Sequence, residues 1–116
     1  MDTRVALVKL TPNIHPEFFD GFKKYRGILI EGYGDGNIPS NLVYVLKRLA
    51  RKRIVILASQ CAYGKVSHKY EGGASLIQAG AISAEDMTKE MTFVKLMWAL
   101  GQNKKLDGVR RILKKL

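Results

Sequence analysis

A glycine-alternating segment is the stretch of this sequence whose residue types and spacing most clearly allow chemistry: Gly32-Tyr33-Gly34-Asp35-Gly36-Asn37. Glycines at every second position let another chain or a ligand approach the backbone closely. In a dinucleotide fingerprint the third glycine comes one place later, where Asn37 stands, and the acidic ribose partner is missing here. The pattern argues against a nucleotide cofactor, and a tight strand-to-helix turn without a ligand remains an alternative.

Cys61 is the single cysteine and could act as a nucleophile if a base lay beside it. His68 is the only histidine near it in sequence, and no third group that would orient such a base is apparent. A cysteine at the end of a buried strand more often packs as a small apolar side chain. One Cys and two widely separated His do not match a metal-ligand spacing, so we expect no metal site.

Apolar runs predict the strands that must position these segments. The runs are continuous rather than alternating, which is typical of parallel strands covered by helices on both faces. They predict a small three-layer α/β/α domain with a parallel sheet of about four strands. Ligands of such sheets bind beyond the carboxyl ends of the strands. The predicted strands are Val5–Leu10, Gly27–Glu31, Ile54–Ala58 and a short edge strand at Ala81–Ile82, and the segments that converge beyond them are Thr11–Asn13, Gly32–Asn37 and Ser59–Cys61.

Apolar spacing also predicts helices over 15–22, 41–52, 74–79 and 106–115, with a polar loop over 62–73. Ser40 is the expected N-cap of the second helix, and Gly80 is expected to end the third.

A long helix is expected to follow a capping-box-like Ser83–Asp86 and to reach about Leu100. Acidic residues lie near the start of this helix, where the helix dipole stabilises negative charge. We expect them to have this role rather than to form an acid–base site. These residues are Glu85, Asp86 and Glu90, and the residues expected to face inward are Met87, Met91, Val94 and Trp98.

Composition bounds the class of protein. The chain has 116 residues, 47% of them apolar and 26% charged, which is typical of one compact domain. Even the longest apolar runs, such as Ile54–Ala58, are too short to span a membrane. A single cysteine and the lack of a secretory pattern after Met1 predict a cytoplasmic location.

The net charge of +10 is unevenly placed. Residues 1–46 carry five basic and five acidic side chains, so the whole excess lies after residue 46. A basic half can meet nucleic acid, an anionic surface or an acidic partner. A solvated basic surface is the favoured interpretation, because the tyrosines are not interleaved with the basic residues.

Nearly the whole chain resembles the smaller C-terminal domain of the asparaginase family, amidohydrolases with a threonine nucleophile. It is most similar to the type I and archaeal asparaginases and to the D subunit of archaeal tRNA-dependent amidotransferases. The matching segments occur in family order and with family spacing, which makes them specific together. They are Val5–Pro12, Gly27–Pro39, Ser59–Val66 and Ala79–Trp98.

The resemblance implies that chain 1–116 is the C-terminal domain without its N-terminal catalytic domain. That domain carries the nucleophilic Thr in a T-G-G-T-I-like strand end, a pattern that this sequence lacks. The threonines present lie in other contexts, so we expect no catalytic residue here and no activity of the chain alone. These threonines are Thr3, Thr11, Thr88 and Thr92.

The resemblance also implies substrate-binding residues that act across a subunit interface. Asn37 matches the Asn that reaches the substrate in the neighbouring subunit, and Gly34, Asp35 and Gly36 supply the loop backbone. Glu71, with Tyr70 beside it, is the candidate partner of the substrate ammonium group. A solvated loop carboxylate is the alternative for Glu71.

A regulatory asparagine site in the type I branch is lined by a Cys that matches Cys61 and by an Arg whose place Glu31 takes. A carboxylate there would repel an anionic effector group. We therefore expect a structural Cys61 and no allosteric regulation.

The sequence thus predicts the C-terminal domain of a cytoplasmic, thermophilic L-asparaginase. Its expected partners are the N-terminal asparaginase catalytic domain, L-asparagine and further copies in a homodimer or tetramer, with no cofactor and no membrane. One alternative is the C-terminal domain of a glutamyl-tRNA(Gln) amidotransferase D subunit, with tRNA as a partner. The further alternative is a stand-alone basic nucleic-acid-binding or assembly module.

Overall fold

The computed structural model describes residues 1–32, 37–59, 71–102 and 105–115, and in them the expected α/β fold is confirmed. Four parallel strands form one sheet in the order β1-β2-β3-β4. No helix among the described residues is long and apolar enough to cross a bilayer. The elements are β1 (Val5–Lys9), a 3-10 helix (Pro16–Lys24), β2 (Gly27–Gly32), α1 (Ser40–Lys52), β3 (Ile54–Ser59), α2 (Glu71–Gln78), β4 (Ile82–Ser83), α3 (Lys89–Gln102) and α4 (Leu106–Lys115).

Helices cover both faces of the sheet, and β2 lies at its centre with all six residues buried. Ile28 and Ile30 pack in the layer formed with α1, α2 and the 3-10 helix. Leu29 packs in the opposite layer, with α3 and α4. Each such side chain contributes about 1.5–3 kcal/mol when it is removed from water. Two covered faces explain why the strand is apolar at consecutive positions.

Gly27 allows α3 to lie close to the start of β2. A Cβ atom at this position would lie 2.9 Å from Leu100 Cδ1 and 3.0 Å from Leu96 Cδ2. Both leucines are fully buried, so neither has room to move aside. The glycine is therefore required by packing in the α3 layer.

Hydrogen bonds through Arg26 connect the N-terminal residues to the C-terminal end of α3. Arg26 Nη1 donates to Asp2 Oδ2 at 3.0 Å and to the carbonyl oxygen of Leu100 at 3.1 Å. Arg4 also donates to Asp2, with Nη2 2.7 Å from Oδ2. Hydrogen bonds from the Arg4 guanidinium lower the pKa of Asp2 well below its usual value, so the carboxylate remains charged in mild acid.

The expected start of α3 is wrong. Ser83 belongs to β4, and its Oγ accepts a hydrogen bond from the Glu85 backbone N–H at 3.1 Å within a turn where Glu85 has a φ of 56°. The N-cap of α3 is provided instead by Thr88, whose Oγ1 accepts from the Met91 N–H at 3.2 Å. Glu85 and Asp86 therefore precede the helix, and Glu90 alone of the three lies in its first turn.

The expected inward face of α3 is also wrong. Its buried residues are Thr92, Leu96, Ala99 and Leu100. Met91, Val94 and Trp98, which we define as the α3 apolar stripe, are 51%, 46% and 44% exposed. The helix contains apolar residues on more than one face, so periodicity could not identify the face that meets the sheet.

Three further boundaries differ from the expectation. Pro39, not Ser40, is the N-cap of α1, and it makes no side-chain capping bond. Helix α2 begins at Glu71, so the last part of the expected 62–73 loop is helical. The helix expected over 15–22 is a 3-10 helix. The expected end of α2 is confirmed, because Gly80 follows this helix with a φ of 116°.

Substituting Gly27→Ala should lower the free energy of unfolding by about 1–3 kcal/mol, because the new methyl group displaces Leu96 and Leu100. Urea denaturation followed by circular dichroism measures the change. Gly21→Ala is the matched control, since a Cβ there meets nothing within 4 Å. We expect the control to be neutral or stabilising by up to about 1 kcal/mol. Equal losses in the two variants would contradict the packing role of Gly27.

Candidate functional site

The carboxyl ends of the three long strands lie level at one edge of the sheet. Lys9 on β1 is the register partner of Glu31 on β2, and Glu31 is the partner of Ala58 on β3. The segments that leave these strands therefore begin side by side. This carboxyl edge is where an open parallel sheet offers a crevice to a ligand.

Helices α1, α2 and α3 all begin on the side of the carboxyl edge. Helices α1 and α2 each return antiparallel to the strand before them, because they connect parallel strands. Helix α3 connects no strands, but its first residue, Lys89, lies beside Glu31, and Leu100 near its end lies against Gly27 at the start of β2. The partial positive charge of a helix lies at its N-terminus, so three helix dipoles favour negative charge here. A ligand with a carboxylate group would meet a complementary field.

Asn37 lies three residues before the start of α1 at this edge and is partly buried. Its Oδ1 accepts a hydrogen bond from the Ile38 backbone N–H at 3.0 Å. Ile38 is 3% exposed and packs in the α1 layer, which fixes the backbone at this point. Asn37 Nδ2 carries two donors, and it makes no hydrogen bond to another described residue.

Glu31 is the second-last residue of β2, and its carboxylate is almost fully enclosed. The residue is 3% exposed. Lys89 Nζ, on the first residue of α3, lies 3.8 Å from Glu31 Oε2. The contact joins the carboxyl end of β2 to the start of α3. Glu31 and Lys89 are 58 positions apart, so the sequence around Glu31 could not have identified Lys89 as its partner.

The turn after β1 forms another part of the edge. Thr11 Oγ1 donates to Asn13 Oδ1 at 2.6 Å, and the Ile14 N–H donates to the Thr11 carbonyl oxygen at 3.2 Å. The turn lines an open cavity of about 610 Å³ together with His15 and Phe18. The expected convergence of Thr11–Asn13 with the end of β2 agrees with the strand register.

The other predicted site residues are described only in part. Glu71 is the first residue of α2, so its backbone belongs to the side of the carboxyl edge, but its side chain lies outside the described residues. Gly34, Asp35, Gly36, Cys61 and Tyr70 also lie outside them. In the described part of the chain, no three His, Cys, Asp or Glu side chains come together in a way that could hold a metal.

Comparison with known proteins identifies relatives of this domain. The model of the glutaminase/asparaginase C-terminal domain matches residues 4–113. The D subunit of the glutamyl-tRNA(Gln) amidotransferase of Pyrococcus horikoshii is 42% identical over 97% of this chain and 27% of its own length. The L-asparaginase of Thermococcus kodakarensis is 41% identical over 99% of this chain and 37% of its own length.

Solved structures agree. The thermostable L-asparaginase from Thermococcus kodakarensis superposes with a TM-score of 0.89 at 42% identity, covering 97% of this chain and 36% of that one. L-asparaginase I from Vibrio cholerae gives a TM-score of 0.82 at 31% identity, covering 93% of this chain and 34% of that one. The chain thus spans between about a quarter and two fifths of the length of these relatives.

A double-mutant cycle on Glu31→Gln and Lys89→Gln should give a coupling free energy of about 0.5–1 kcal/mol. The value is modest because Lys89 is 45% exposed and the two atoms are 3.8 Å apart. Urea denaturation of the four proteins measures it. Strictly additive losses would show that the two side chains do not interact in solution.

Proposed function

Because this chain belongs to the glutaminase/asparaginase family, whose C-terminal domain it matches over residues 4–113, we propose that it is the C-terminal domain of an L-asparaginase. In this proposal it completes the active site of a neighbouring subunit and has no activity alone. The observation that carries the proposal is the position of Asn37 at the carboxyl edge, where its Oδ1 accepts from the Ile38 N–H and its Nδ2 has no partner among the described residues.

Three of the four threonines have structural roles that support the need for a separate nucleophile, and the fourth, Thr3, is an exposed residue before β1. Thr92 is 3% exposed, and its Oγ1 donates to the Thr88 carbonyl oxygen at 2.8 Å. Thr88 Oγ1 caps α3, and Thr11 Oγ1 donates to Asn13. Each of these hydroxyl groups has a structural role, and none lies in an arrangement that would activate it. The nucleophile is therefore assigned to an N-terminal catalytic domain.

The proposed reaction is hydrolysis of the side-chain amide of L-asparagine to aspartate and ammonia. The other domain supplies the nucleophile and the oxyanion donors. In this chain, Asn37 Nδ2 donates to the substrate, while Gly34, Asp35 and Gly36 let the loop lie close to the other subunit. The Glu71 carboxylate, with Tyr70 beside it, pairs with the substrate ammonium group. The reaction needs no metal or organic cofactor.

The helix dipoles support an amino acid as the ligand. The N-termini of α1, α2 and α3 favour the α-carboxylate of the substrate, while Glu71 would neutralise its ammonium group. An amino acid carries both charges at neutral pH, so a site with both complements recognises the zwitterion. The same field would not select asparagine over glutamine.

We assign no regulatory role to Cys61 or Glu31. Glu31 is buried and interacts with Lys89, so its carboxylate serves the contact between β2 and α3. An anionic effector would meet this carboxylate unfavourably. Cys61 is proposed to be structural, and the parent enzyme is proposed to be cytoplasmic, thermophilic and a homodimer or tetramer.

The α3 apolar stripe supports a partner domain on the α3 layer. Met91, Val94 and Trp98 lie at helical spacing and each exposes about half of its surface. A contiguous apolar face of this kind is typical of a protein interface. The relatives contain roughly twice as much additional chain as this domain, so their N-terminal part is the proposed occupant.

A glutamyl-tRNA(Gln) amidotransferase D subunit is the second candidate for the parent protein. The Pyrococcus horikoshii protein of that name is as similar to this chain as the Thermococcus kodakarensis L-asparaginase, at 42% against 41% identity. In that case the same edge would complete a site that releases ammonia from glutamine in a tRNA-dependent complex. The net charge of +10 also favours a role near tRNA.

A chimera tests the proposed function. This chain replaces the matching segment of the Thermococcus kodakarensis L-asparaginase, and ammonia release from asparagine is measured. We expect the chimera to be active and chain 1–116 alone to be inactive. Asn37→Ala should lower kcat/KM of the chimera by about 10- to 100-fold, because it removes a hydrogen bond to a charged substrate.

Asn41→Ala is the matched control for this chimera, since Asn41 is an exposed Asn on the first turn of α1. It should leave kcat/KM unchanged. Full activity of the Asn37→Ala chimera, or amidase activity of chain 1–116, would overturn the proposal. Joining this chain to the N-terminal part of the Pyrococcus horikoshii amidotransferase protein, and assaying glutamine with its partner protein and tRNA, distinguishes the two parents.

The N-terminal part of the Thermococcus kodakarensis L-asparaginase, produced separately, should bind chain 1–116. Replacing Met91 and Trp98 by Ser should weaken this binding by at least about ten-fold, because apolar contacts are lost. Calorimetric titration measures the affinity. Tyr44→Ser, which alters a 71% exposed aromatic residue in the opposite layer, is the control and should have no effect. Equal affinities of all three proteins would place the interface elsewhere.

A further inference from the structure

A basic groove lies between the 3-10 helix and the C-terminal half of α1, at the end of α1 remote from Asn37. Its volume is about 590 Å³. Phe19 and Leu49 form an apolar floor. We define the basic groove by this floor and by the cations around it, Lys23 on the 3-10 helix and Arg48, Arg51 and Lys52 on α1.

Arg53 holds the two walls of the basic groove together. Its Nε donates to the Tyr25 carbonyl oxygen at 3.0 Å, and its Nη2 donates to the Lys23 carbonyl oxygen at 2.9 Å. These bonds join the end of α1 to the end of the 3-10 helix. The positions of the basic side chains therefore follow from the tertiary structure, because Lys23 is 25 residues from Arg48 in sequence.

The lining of the groove carries an excess of positive charge. Within the described residues, Lys23, Arg48, Arg51 and Lys52 form no ion pair with a carboxylate. Asp20 is the single acidic residue of the lining. Dipole effects explain cations at each helix end separately. They do not explain why the basic ends of the 3-10 helix and of α1 line the same groove. Like charges repel there, and a bound polyanion would relieve the repulsion.

The expectation that the tyrosines lie apart from the basic residues is wrong for Tyr44, which continues the row of cations along α1. Tyr44 is 71% exposed, and the Arg48 guanidinium lies 5.8 Å from its ring centroid. From Tyr44 to Lys52 the helix rises about 12 Å. In single-stranded nucleic acids, cations bind successive phosphates while aromatic rings and apolar surfaces stack on the bases. An acidic protein segment would use the cations but would have no need for the ring.

We infer that the basic groove binds single-stranded RNA. Arg48, Arg51, Lys52 and Lys23 contact the phosphodiester backbone, and Tyr44 stacks on a base. Direct contact with base edges is not required, so binding is independent of sequence. The groove and Asn37 lie at opposite ends of α1, so RNA binding does not depend on the proposed amidohydrolase function.

Fluorescence anisotropy with a labelled, mixed-sequence, single-stranded RNA of about 20 nucleotides tests the inference. The triple variant R48Q/R51Q/K52Q should bind at least about ten-fold more weakly in about 100 mM salt. Its plot of log affinity against log salt should be shallower by about 2, because three phosphate contacts are lost at about 0.7 each. Tyr44→Ala should weaken binding by at least about five-fold.

The matched control is R111Q/K114Q/K115Q, which removes the same charge from three exposed residues of α4. It should change the affinity by less than about two-fold. Equal losses of RNA affinity in the two triple variants would show that the RNA responds only to the net charge of the chain. That result would overturn the inference of a binding site in the groove. Competition by polyglutamate as strong as that by unlabelled RNA would identify an acidic protein as the ligand instead.

Thermal melting by circular dichroism checks that each variant folds as the parent does. If the groove triple variant melts at a lower temperature, the single variants Arg51→Gln and Tyr44→Ala replace it. Both alter exposed side chains. Unchanged RNA affinity in both single variants would likewise overturn the inference.

Discussion

Burial of β2 on both faces is the constraint on which the rest of this structure depends. All six of its residues are buried, and their side chains alternate between two helical layers. Because both neighbours of β2 are parallel to it, their connections must return along the faces of the sheet. Together with the parallel pairing of β3 and β4, this arrangement brings the N-termini of α1 and α2 to the carboxyl edge, and α3 begins there beside Glu31. Gly27 meets the same constraint at the other end of β2, where only a residue without a side chain leaves room for α3.

Helix α1 connects two surfaces of different chemistry. Its N-terminus follows Asn37, at an edge where helix dipoles favour a carboxylate. Its C-terminal half carries Arg48, Arg51 and Lys52, which with Lys23 form a groove that favours polyanions. A helix of 13 residues separates its ends by about 20 Å, so the two surfaces can act without sharing a ligand. The α3 apolar stripe lies in the opposite layer, where a partner domain would leave both surfaces accessible.

Much of the fold could be predicted because the strands are short, continuous apolar runs that admit one interpretation. The four strands, the α/β class and the convergence of the segments after β1 and β2 all agree with the structure. Helix α3 was harder, since Met91, Val94 and Trp98 have the same helical spacing as a core face. Its start was also misplaced, because both Ser83 and Thr88 are residues that cap helices, and only the bonds to Glu85 and Met91 N–H distinguish them.

By itself, the sequence determined the layered α/β architecture and the position of Asn37 shortly before a helix, because each depends on residues that are close together in the chain. It also determined the family, because the matching segments keep their order and spacing along the chain. Only the tertiary structure decided which face of α3 is buried, that Glu31 meets Lys89, and that Lys23 shares a groove with Arg48, Arg51 and Lys52. These contacts join elements 25 to 58 positions apart. Their physical origin is the packing of helices on the sheet, which local propensity and periodicity do not specify.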